Sequence, residues 1–252
     1  MSKKKSLVRP SDRALREIRH GQLLANIGAE SSWGWGTSAG RERANRRAAL
    51  IIRAGQLNEK SRILEIGCGT GLFTKKFAET DAHITAVDIS FDLIKQAREQ
   101  CKSEKRVEFI CGQFEELSLP ETFDTIVGSS VLHHLDVEKS VHAIFQMLKP
   151  GGRLAFAEPN MLNPQIFAER TFLRNYSKYT SPDETAFVRW AFQRLLEAEG
   201  FVKVQIRPFD WLHPATPKRL IKPLTAAGTI LERIPFMKEF SGSLIISGFR
   251  PV

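Results

Sequence analysis

The stretch Leu64-Glu65-Ile66-Gly67-Cys68-Gly69-Thr70-Gly71 decides the fold of this chain of 252 residues. An apolar strand enters it, three alternate glycines turn the backbone tightly, and a helix begins directly afterwards. Glycine is required because the main chain adopts conformations that a Cβ resists and because a ligand must approach it closely. The amino end of the helix then offers N–H groups to an anionic part of that ligand. The stretch therefore predicts a ligand-binding loop between a strand and a helix.

The glycine spacing separates this loop from two other nucleotide-binding loops. A dinucleotide fingerprint needs glycines at its first, third and sixth positions, but the sixth position here is Leu72. A Walker loop would end in Gly-Lys followed by Ser or Thr, and no such sequence follows. The spacing therefore disfavours NAD, FAD and a nucleoside triphosphate as the ligand.

Outward from the loop, strands and helices alternate along the chain. The β-rich runs lie at 62–66, 83–87, 107–110, 123–127 and 153–157, and two closing runs lie at 201–206 and 243–249. Helical patterns between them require crossover connections, which build a mostly parallel sheet covered on both faces. We predict an α/β fold with a doubly wound, mostly parallel, seven-stranded sheet, a helical N-terminal arm, and helical insertions that form a cap.

Charge divides the chain near residue 60. Residues 1–60 hold 13 Lys and Arg against 5 Asp and Glu, whereas residues 61–252 hold 24 against 23. We expect a basic helical arm or cap over 1–60 and a core domain over 61–252 with insertions at 159–180 and 208–240. Such an arm can bind nucleic acid or an anionic membrane, or be a solvated face, and its few aromatic residues favour the last.

Three exclusions follow from composition. No apolar run approaches the ~20 residues that span a bilayer, and no signal-peptide core follows the start of the chain. Three cysteines, Cys68, Cys101 and Cys111, are too few for a disulfide scaffold and lack metal-ligand spacing. We expect a cytoplasmic protein with reduced thiols and no metal site.

Five ordered segments carry a resemblance that extends from about residue 62 to residue 201. They are the glycine loop at 64–71, the strand 84–88 with Asp88 at its end, and the segments 112–117, 123–135 and 148–154. In these segments the chain resembles the class I S-adenosylmethionine-dependent methyltransferases, in particular the group of small-molecule enzymes similar to the ubiquinone/menaquinone C-methyltransferases. The resemblance implies a Rossmann-like methyltransferase fold and S-adenosyl-L-methionine as the cofactor.

The resemblance also implies the residues that would bind the cofactor. They are Glu65, Gly67, Cys68, Gly69, Gly71, Asp88, Ile89, Gln113, Phe114 and Ser129. Asp88 would accept both ribose hydroxyls and Ile89 would pack against the adenine, while Glu65 would either brace the loop or reach the cofactor's ammonium group. The family often has Asp where Gln113 stands, and the side-chain oxygen of Gln can still accept from the adenine amino group. We expect residues 1–19 to be dispensable for cofactor binding.

The adjacent pair His133-His134 is the histidine cluster nearest the expected site. Either ring could take a proton from a hydroxyl or an acidic carbon of the acceptor, or the pair could have a positional or cofactor-side role. The segment Gly128-Ser129-Ser130-Val131 lacks the Asn/Asp-Pro-Pro-aromatic box associated with methylation of amino nitrogens on bases, which argues against nucleic acid. We therefore predict methyl transfer to oxygen or carbon of a small, hydrophobic or lipid-like acceptor. The alternatives are an RNA methyltransferase that uses the basic arm and an inactive cofactor-binding partner subunit.

Aromatic and apolar residues outside the matching segments suggest a greasy acceptor pocket. They are Trp33, Trp35, Phe167, Phe172, Tyr176, Tyr179, Trp190, Trp211 and the segment 208–240 with its stripe of Leu220, Leu224, Ala227, Leu231 and Ile234. We expect the two insertions and the two N-terminal tryptophans to enclose the acceptor. Packing of the stripe against the sheet, or contact with a membrane surface, are the alternatives, and the sequence leaves the oligomeric state open.

Overall fold

Seven strands form one sheet in the order β3-β2-β1-β4-β5-β7-β6. This computed structural model describes residues 11–117, 119, 122–172 and 186–252. The strands are β1 (Arg62–Ile66), β2 (His83–Asp88), β3 (Val107–Cys111), β4 (Phe123–Ser129), β5 (Leu148–Pro159), β6 (Val202–Phe209) and β7 (Ser243–Phe249). Neighbouring strands are parallel except at β7, which runs antiparallel to β5 and to β6. The predicted seven-stranded, mostly parallel sheet is confirmed.

Helices flank the sheet and precede it. In the described residues they are α1 (Asp12–Ile27), α2 (Ala29–Ser32), α3 (Ser38–Gly55), α4 (Leu72–Ala78), α5 (Phe91–Gln100), α6 (Val137–Met147), α7 (Pro164–Thr171), α8 (Arg189–Glu199) and α9 (Lys218–Leu231). Short 3-10 turns lie at Phe114–Glu116, Leu132–His134 and Met237–Phe240. Polar residues begin several helices: Ser90 accepts from the N–H of Leu93, and Asp136 accepts from that of Lys139. None of the described helices is both long enough and apolar enough to cross a membrane.

The strand order places a crevice beside β1. The sheet grows from β1 to β2 and β3 in one direction, and through β4 in the other. Crossovers of one hand therefore lie on opposite faces, and the carboxyl ends of the strands are left open between them. Fully buried side chains fill both faces, among them Phe77 and Ile51 on one and Phe123 and Phe156 on the other. Each such side chain stabilises the fold by about 1.5–3 kcal/mol.

Two predicted boundaries differ from the structure. The sequence Lys149-Pro150-Gly151-Gly152 is typical of the end of a helix, which predicts the next strand from residue 153. Strand β5 instead begins at Leu148 and includes this sequence; Gly151 adopts φ +77° there, and pairing with β4 is irregular. The sequence Ser181-Pro182-Asp183-Glu184 is typical of a helix start, which predicts a helix that runs to Glu199. In the described residues this helix begins at Arg189, because Phe187 is extended and bridges to Asn160. The predicted start at Ser181 lies outside the described residues, and so does Tyr176, near which the sequence predicts the end of a helix from Pro164.

The insertion between β6 and β7 does form a helix, α9, but its apolar stripe is not covered. Leu220, Leu224 and Ile234 are each more than two-fifths exposed, and Gly228 is the one residue of α9 that is buried. Glu232, just beyond α9, forms a two-pronged ion pair with Arg46 on α3, with N···O distances of 2.8 and 2.5 Å. These contacts hold α9 against the outer side of α3.

Candidate cofactor site

One cavity of about 780 Å³ lies at the carboxyl ends of β1, β2 and β4. Its volume is in the range of small-molecule sites. Most of the residues implied by the resemblance line it, namely Gly67, Cys68, Gly69, Asp88, Ile89, Gln113, Phe114, Ser129, His133 and His134. Two described residues of the predicted set, Glu65 and Gly71, do not line it.

The glycine loop turns where the sequence predicted. Its glycines are required by the backbone conformation and by the close approach of neighbouring residues. Gly67, Gly69 and Gly71 all have positive φ, at +69°, +53° and +86°. A Cβ on Gly67 would lie 2.2 Å from Cγ2 of Val131, and one on Gly71 would lie 3.0 Å from Cα of Ala97. Gly71 therefore serves the packing of α4 against α5 rather than the cavity wall.

Asp88 ends β2 with its carboxylate held by the main chain. Oδ2 accepts from the N–H of Gly69 at 2.8 Å, and Oδ1 accepts from the N–H of Ser90 at 2.9 Å. Burial raises the pKa of Asp88, while these two N–H groups and the nearby His134 oppose the rise. Each carboxylate oxygen has a second lone pair, so the oriented group can also accept from two vicinal hydroxyls at the cavity wall.

Glu65 lies within the fold on β1, only 1% exposed. Its Oε2 and the hydroxyl of Thr74 on α4 are both buried without a well-formed hydrogen bond among the described residues, but the two groups are neighbours and the Thr74 hydroxyl partly opposes the effect of burial on the pKa of Glu65. Burial, together with the negative charge of Asp88, raises the pKa of Glu65 to about 8. Glu65 does not line the cavity, which does not fit a direct contact with the ligand, and the role in bracing the loop stays a prediction.

The remaining implied residues approach the cavity from β3 and β4. Gln113 and Phe114 follow β3, and Ile89 follows β2, so an apolar and an amide side chain flank the same side of the cavity as Asp88. Ser129 ends β4 on the opposite side. The residues present thus fit a ligand with a vicinal diol and a planar heterocycle: paired acceptors, an amide, and apolar walls.

His133 is buried beside a carboxylate that the sequence analysis missed. Its Nδ1 lies 2.7 Å from Oε2 of Glu158, whose Oε1 accepts from the N–H groups of Val131 and Leu132 at 3.0 and 2.9 Å. Burial alone would raise the pKa of Glu158, but the bond to His133 and the two N–H groups outweigh burial and hold it below its usual value. Because a carboxylate can only accept, Nδ1 donates, which leaves Nε2 as the proton-accepting nitrogen of a neutral ring.

His134 lies against the N-terminal helix instead. Its ring stacks on that of His133 with centroids 4.2 Å apart, and its Nδ1 is 3.3 Å from Oε2 of Glu17. Its carbonyl accepts from Nε of Arg13 at 2.7 Å. The two adjacent histidines therefore have different surroundings: His133 is fixed by the core, and His134 connects the core to α1.

A second functional residue missed by the sequence analysis is Arg47 on α3. It is 3% exposed and donates to Ser130 Oγ at 2.9 Å, to the carbonyl of Ala157 at 3.0 Å and to Ser243 Oγ at 2.5 Å. Burial, with the charge of neighbouring Arg43, lowers the pKa of Arg47 to about 10. Arg47 thereby binds together the ends of β4, β5 and β7 at the cavity floor. A helical run of arginines gave no signal that one of them points inward.

The N-terminal segment covers the cavity. Residues of α1 line it, and Gly21 approaches so closely that a Cβ would lie 2.5 Å from Cβ of Ser90. Trp33 lies over the loop, 3.0 Å from where a Cβ on Gly69 would be. Thr70 Oγ1 donates to Oε1 of Glu30 at 3.1 Å. The expectation that residues 1–19 are dispensable for cofactor binding does not fit this arrangement, because α1 forms one wall.

The sequence predicts that the two insertions, with Trp33 and Trp35, enclose the acceptor, and this prediction is right in part and wrong in part. Trp33 and Trp35 line the cavity, as do Ile166, Glu169 and Arg170 of the first insertion. No described residue of 208–240 lines it, because ion pairs and the contact of Gly228 with Trp211 hold α9 beside α3. The other aromatic residues proposed for the pocket lie elsewhere: Phe167, Phe172 and Trp190 are exposed, Trp211 packs on α9, and Tyr176 and Tyr179 lie outside the described residues.

Comparison with known proteins finds similarity in the part of the chain that contains the glycine loop and Asp88. A family profile described as "Methyltransferase domain" matches residues 64–156. A malonyl-[acyl-carrier protein] O-methyltransferase of Priestia megaterium is 36% identical over 128 residues, which cover 49% of this chain and 43% of that protein. A ubiquinone biosynthesis O-methyltransferase of Xanthomonas euvesicatoria is 34% identical over 112 residues, 43% of this chain and 46% of that protein. The chain thus spans about half the length of these relatives.

A solved structure supports the fold over nearly the whole chain. The N-methyltransferase NodS from Bradyrhizobium japonicum, in complex with S-adenosyl-L-homocysteine, superposes with a TM-score of 0.64 at 18% identity. The match covers 94% of this chain and all of that one. The strand order, the glycine loop and the family profile agree: residues 64–156 match a methyltransferase domain, and they lie in a chain that has the Rossmann-like methyltransferase fold.

Proposed function

We propose that this chain binds S-adenosyl-L-methionine and transfers its methyl group to an oxygen or carbon atom of a small, hydrophobic or lipid-like acceptor. The observation that carries the proposal is the convergence of Asp88, the glycine loop and the His133–Glu158 pair on one cavity. Residues far apart in the sequence meet there at the carboxyl edge of the sheet, where ligands of open α/β sheets bind.

Each part of the site has a role in holding the cofactor. Asp88 would accept the ribose hydroxyls, Ile89 and Phe114 would enclose the adenine, and Gln113 would accept from its amino group. Gly67 and Gly69 would let the rest of the cofactor lie against the main chain. When bound, the cofactor supplies a methyl group on a positively charged sulfur. This sulfur would be the leaving group of an in-line displacement, because it becomes a neutral thioether.

The protein's contribution to the transfer is alignment, exclusion of water and removal of a proton. Holding two reactants in line can lower the barrier by about 7–11 kcal/mol. If the acceptor is a hydroxyl or an acidic carbon, Nε2 of His133 would take its proton, and Glu158 would stabilise the resulting imidazolium through Nδ1. Trp33, Trp35 and Ile166 would supply the apolar walls around the acceptor.

The names of two relatives in sequence favour oxygen as the accepting atom. The two relatives compared above are named as O-methyltransferases, one acting on a malonyl thioester of acyl-carrier protein and one in ubiquinone biosynthesis. A malonyl thioester carries a carboxylate, and a ubiquinone precursor carries a phenol beside a long apolar tail. We take these two chemistries as the first acceptors to test.

The test is transfer of a labelled methyl group. The purified chain is incubated with S-adenosylmethionine labelled in its methyl group and with malonyl-acyl-carrier protein, a polyprenylated catechol, or total RNA in separate reactions. We expect label in an oxygen acceptor and loss of that label in Asp88→Ala. Label in RNA alone would establish the RNA methyltransferase alternative. Binding of the cofactor with no label in any acceptor would favour the inactive partner subunit.

The location of the reaction belongs to the same proposal. We place it in the cytoplasm, where the thiols of Cys68, Cys101 and Cys111 stay reduced. Cell fractionation with an antibody to the chain tests this, and recovery in an extracellular fraction would contradict it.

A further inference from the structure

The outward side of α9 and the turn after it expose large apolar side chains. Ile230 is 61% exposed and Phe236 is 72% exposed, and Leu220, Leu224 and Ile234 are 42–43% exposed. We call these five residues the α9 face. At 3.6 residues per turn, Leu220, Leu224 and Ile230 fall within about one third of the helix circumference. Single exposed apolar side chains are ordinary, but a contiguous face of this kind marks a contact surface.

The exposed charged residues around this face are all basic. The segment 217–240 contains two acidic residues, Glu232 and Glu239, and both turn inward. Glu232 pairs with Arg46, and Glu239 pairs with Arg189 at 2.7 Å. The acidic groups of the segment are therefore neutralised by other elements of the fold.

Four of the five basic residues of the same segment are exposed; the fifth, Lys238, is half-buried. Lys218, Arg219, Lys222 and Arg233 are exposed. Within the described part of the chain, none of these four side chains has a carboxylate at ion-pair distance. A helix with an apolar strip bordered by unpaired Lys and Arg fits the boundary between the headgroups and acyl chains of an anionic membrane.

We propose that the α9 face docks this protein on the surface of a membrane rich in anionic lipids. The apolar side chains enter the acyl boundary, and the basic side chains contact the lipid phosphates. A helix lying in the interface needs no membrane-spanning length, and α9 with its 14 residues has none. The docking surface is separate from the cofactor cavity, so it is independent of the proposed methyl transfer.

The experiment is co-sedimentation of the full chain with vesicles. One set is phosphatidylcholine alone, and the other is an equal mixture of phosphatidylcholine and phosphatidylglycerol. We expect binding to the mixed vesicles, weakened by added salt. Leu224→Ser and Ile230→Ser should each weaken binding roughly tenfold, because each removes apolar surface from the acyl boundary. Lys222→Gln should weaken it about fivefold.

Val202→Ser is the matched control, since Val202 is 42% exposed but lies on β6. It should bind as the unmodified chain does, and circular dichroism should show that every variant is folded. Failure of the unmodified chain to bind mixed vesicles at low salt would overturn the proposal. Equal binding to both vesicle types would overturn the anionic part. A dimer that Leu224→Ser disrupts, without vesicle binding, would assign the face to a second copy of the chain instead.

Discussion

At the scale of single residues, carboxylates with different surroundings divide the work of the site. Asp88 is accessible from the cavity and oriented by two N–H groups, Glu158 is buried with three donors, and Glu65 is buried with an unsatisfied oxygen. The surroundings, rather than the residue type, determine which of them is charged and which can accept from a ligand.

Asp88→Ala should weaken binding of S-adenosylmethionine by about 2–3 kcal/mol, the scale of lost charge-assisted hydrogen bonds. Titration calorimetry on the folded variant measures the change. Asp92→Ala serves as the control, since Asp92 is also near the start of α5 but does not line the cavity. Equal affinities of the two variants for S-adenosylmethionine would show that Asp88 does not bind the cofactor.

Glu65→Gln should change the dependence of stability on pH. Because the pKa of Glu65 is raised to about 8 in the folded state, the folded chain keeps a proton that the unfolded chain releases near its ordinary pKa of 4.5. The contribution of Glu65 therefore lowers the free energy of unfolding as the pH rises from about 5 to 8. Gln has no proton to lose, so the Tm of Glu65→Gln should exceed that of the unmodified chain by a margin that grows over this window. A constant difference at all pH values would contradict the assignment.

Glu158 should act as a positioning residue for His133. His133→Gln should lower kcat by about 10²–10⁴ if the ring is the general base. Glu158→Gln should lower kcat less and move the rise of rate with pH to lower pH, because the carboxylate favours the protonated ring. An unchanged pH profile in both variants would leave these residues with a positional role only.

At the scale of elements, local sequence patterns predicted the strands of the sheet better than the positions of the helices around it. The bounds of β1 and β7 match the prediction, since short apolar runs bordered by turn residues specify strands locally. The position of α9 depends on Arg46 and Trp211, which are distant in sequence, and no periodicity encodes such contacts. Asp88 was predicted because the resemblance implies an acidic residue at the end of that strand, whereas Glu158 and Arg47 act through partners 25 and more than 80 residues away.

The contact of α1 with the start of α5 allows a test of whether α1 contributes to ligand binding. Gly21→Val should push α1 away from Ser90, because a Cβ at position 21 would lie 2.5 Å from the Cβ of Ser90. Overpacking of this kind costs about 1–3 kcal/mol, so affinity for S-adenosylhomocysteine should fall roughly tenfold or more. Gln22→Val, at an exposed position of the same helix, is the control for placing a valine in α1. Unchanged affinity in Gly21→Val would show that α1 does not contribute to binding.

At the scale of the whole molecule, the cavity and α9 are separate regions of one fold. Hydrogen exchange on binding S-adenosylhomocysteine should slow in α1, in the glycine loop and in the residues after β2 and β4, since these line the cavity. Exchange in α9 should stay the same, because its contacts are with α3 and Trp211. Slower exchange in α9 would restore the original expectation that this segment closes over the acceptor.

The position of Trp33 above Gly69 has an optical consequence. The chain contains four tryptophans, and the ring of Trp33 stands over the loop on which the cofactor would lie. Its indole emission is therefore a built-in reporter of occupancy: filling the cavity changes the polarity around the ring and quenches or shifts its fluorescence. Trp33→Phe would remove the part of the signal that comes from the ring above the loop; Trp35 also lines the cavity and would supply the remainder, while Trp190 and Trp211, away from the cavity, supply a constant background. Cofactor binding can thus be followed in the unlabelled protein, in real time and before any acceptor is known.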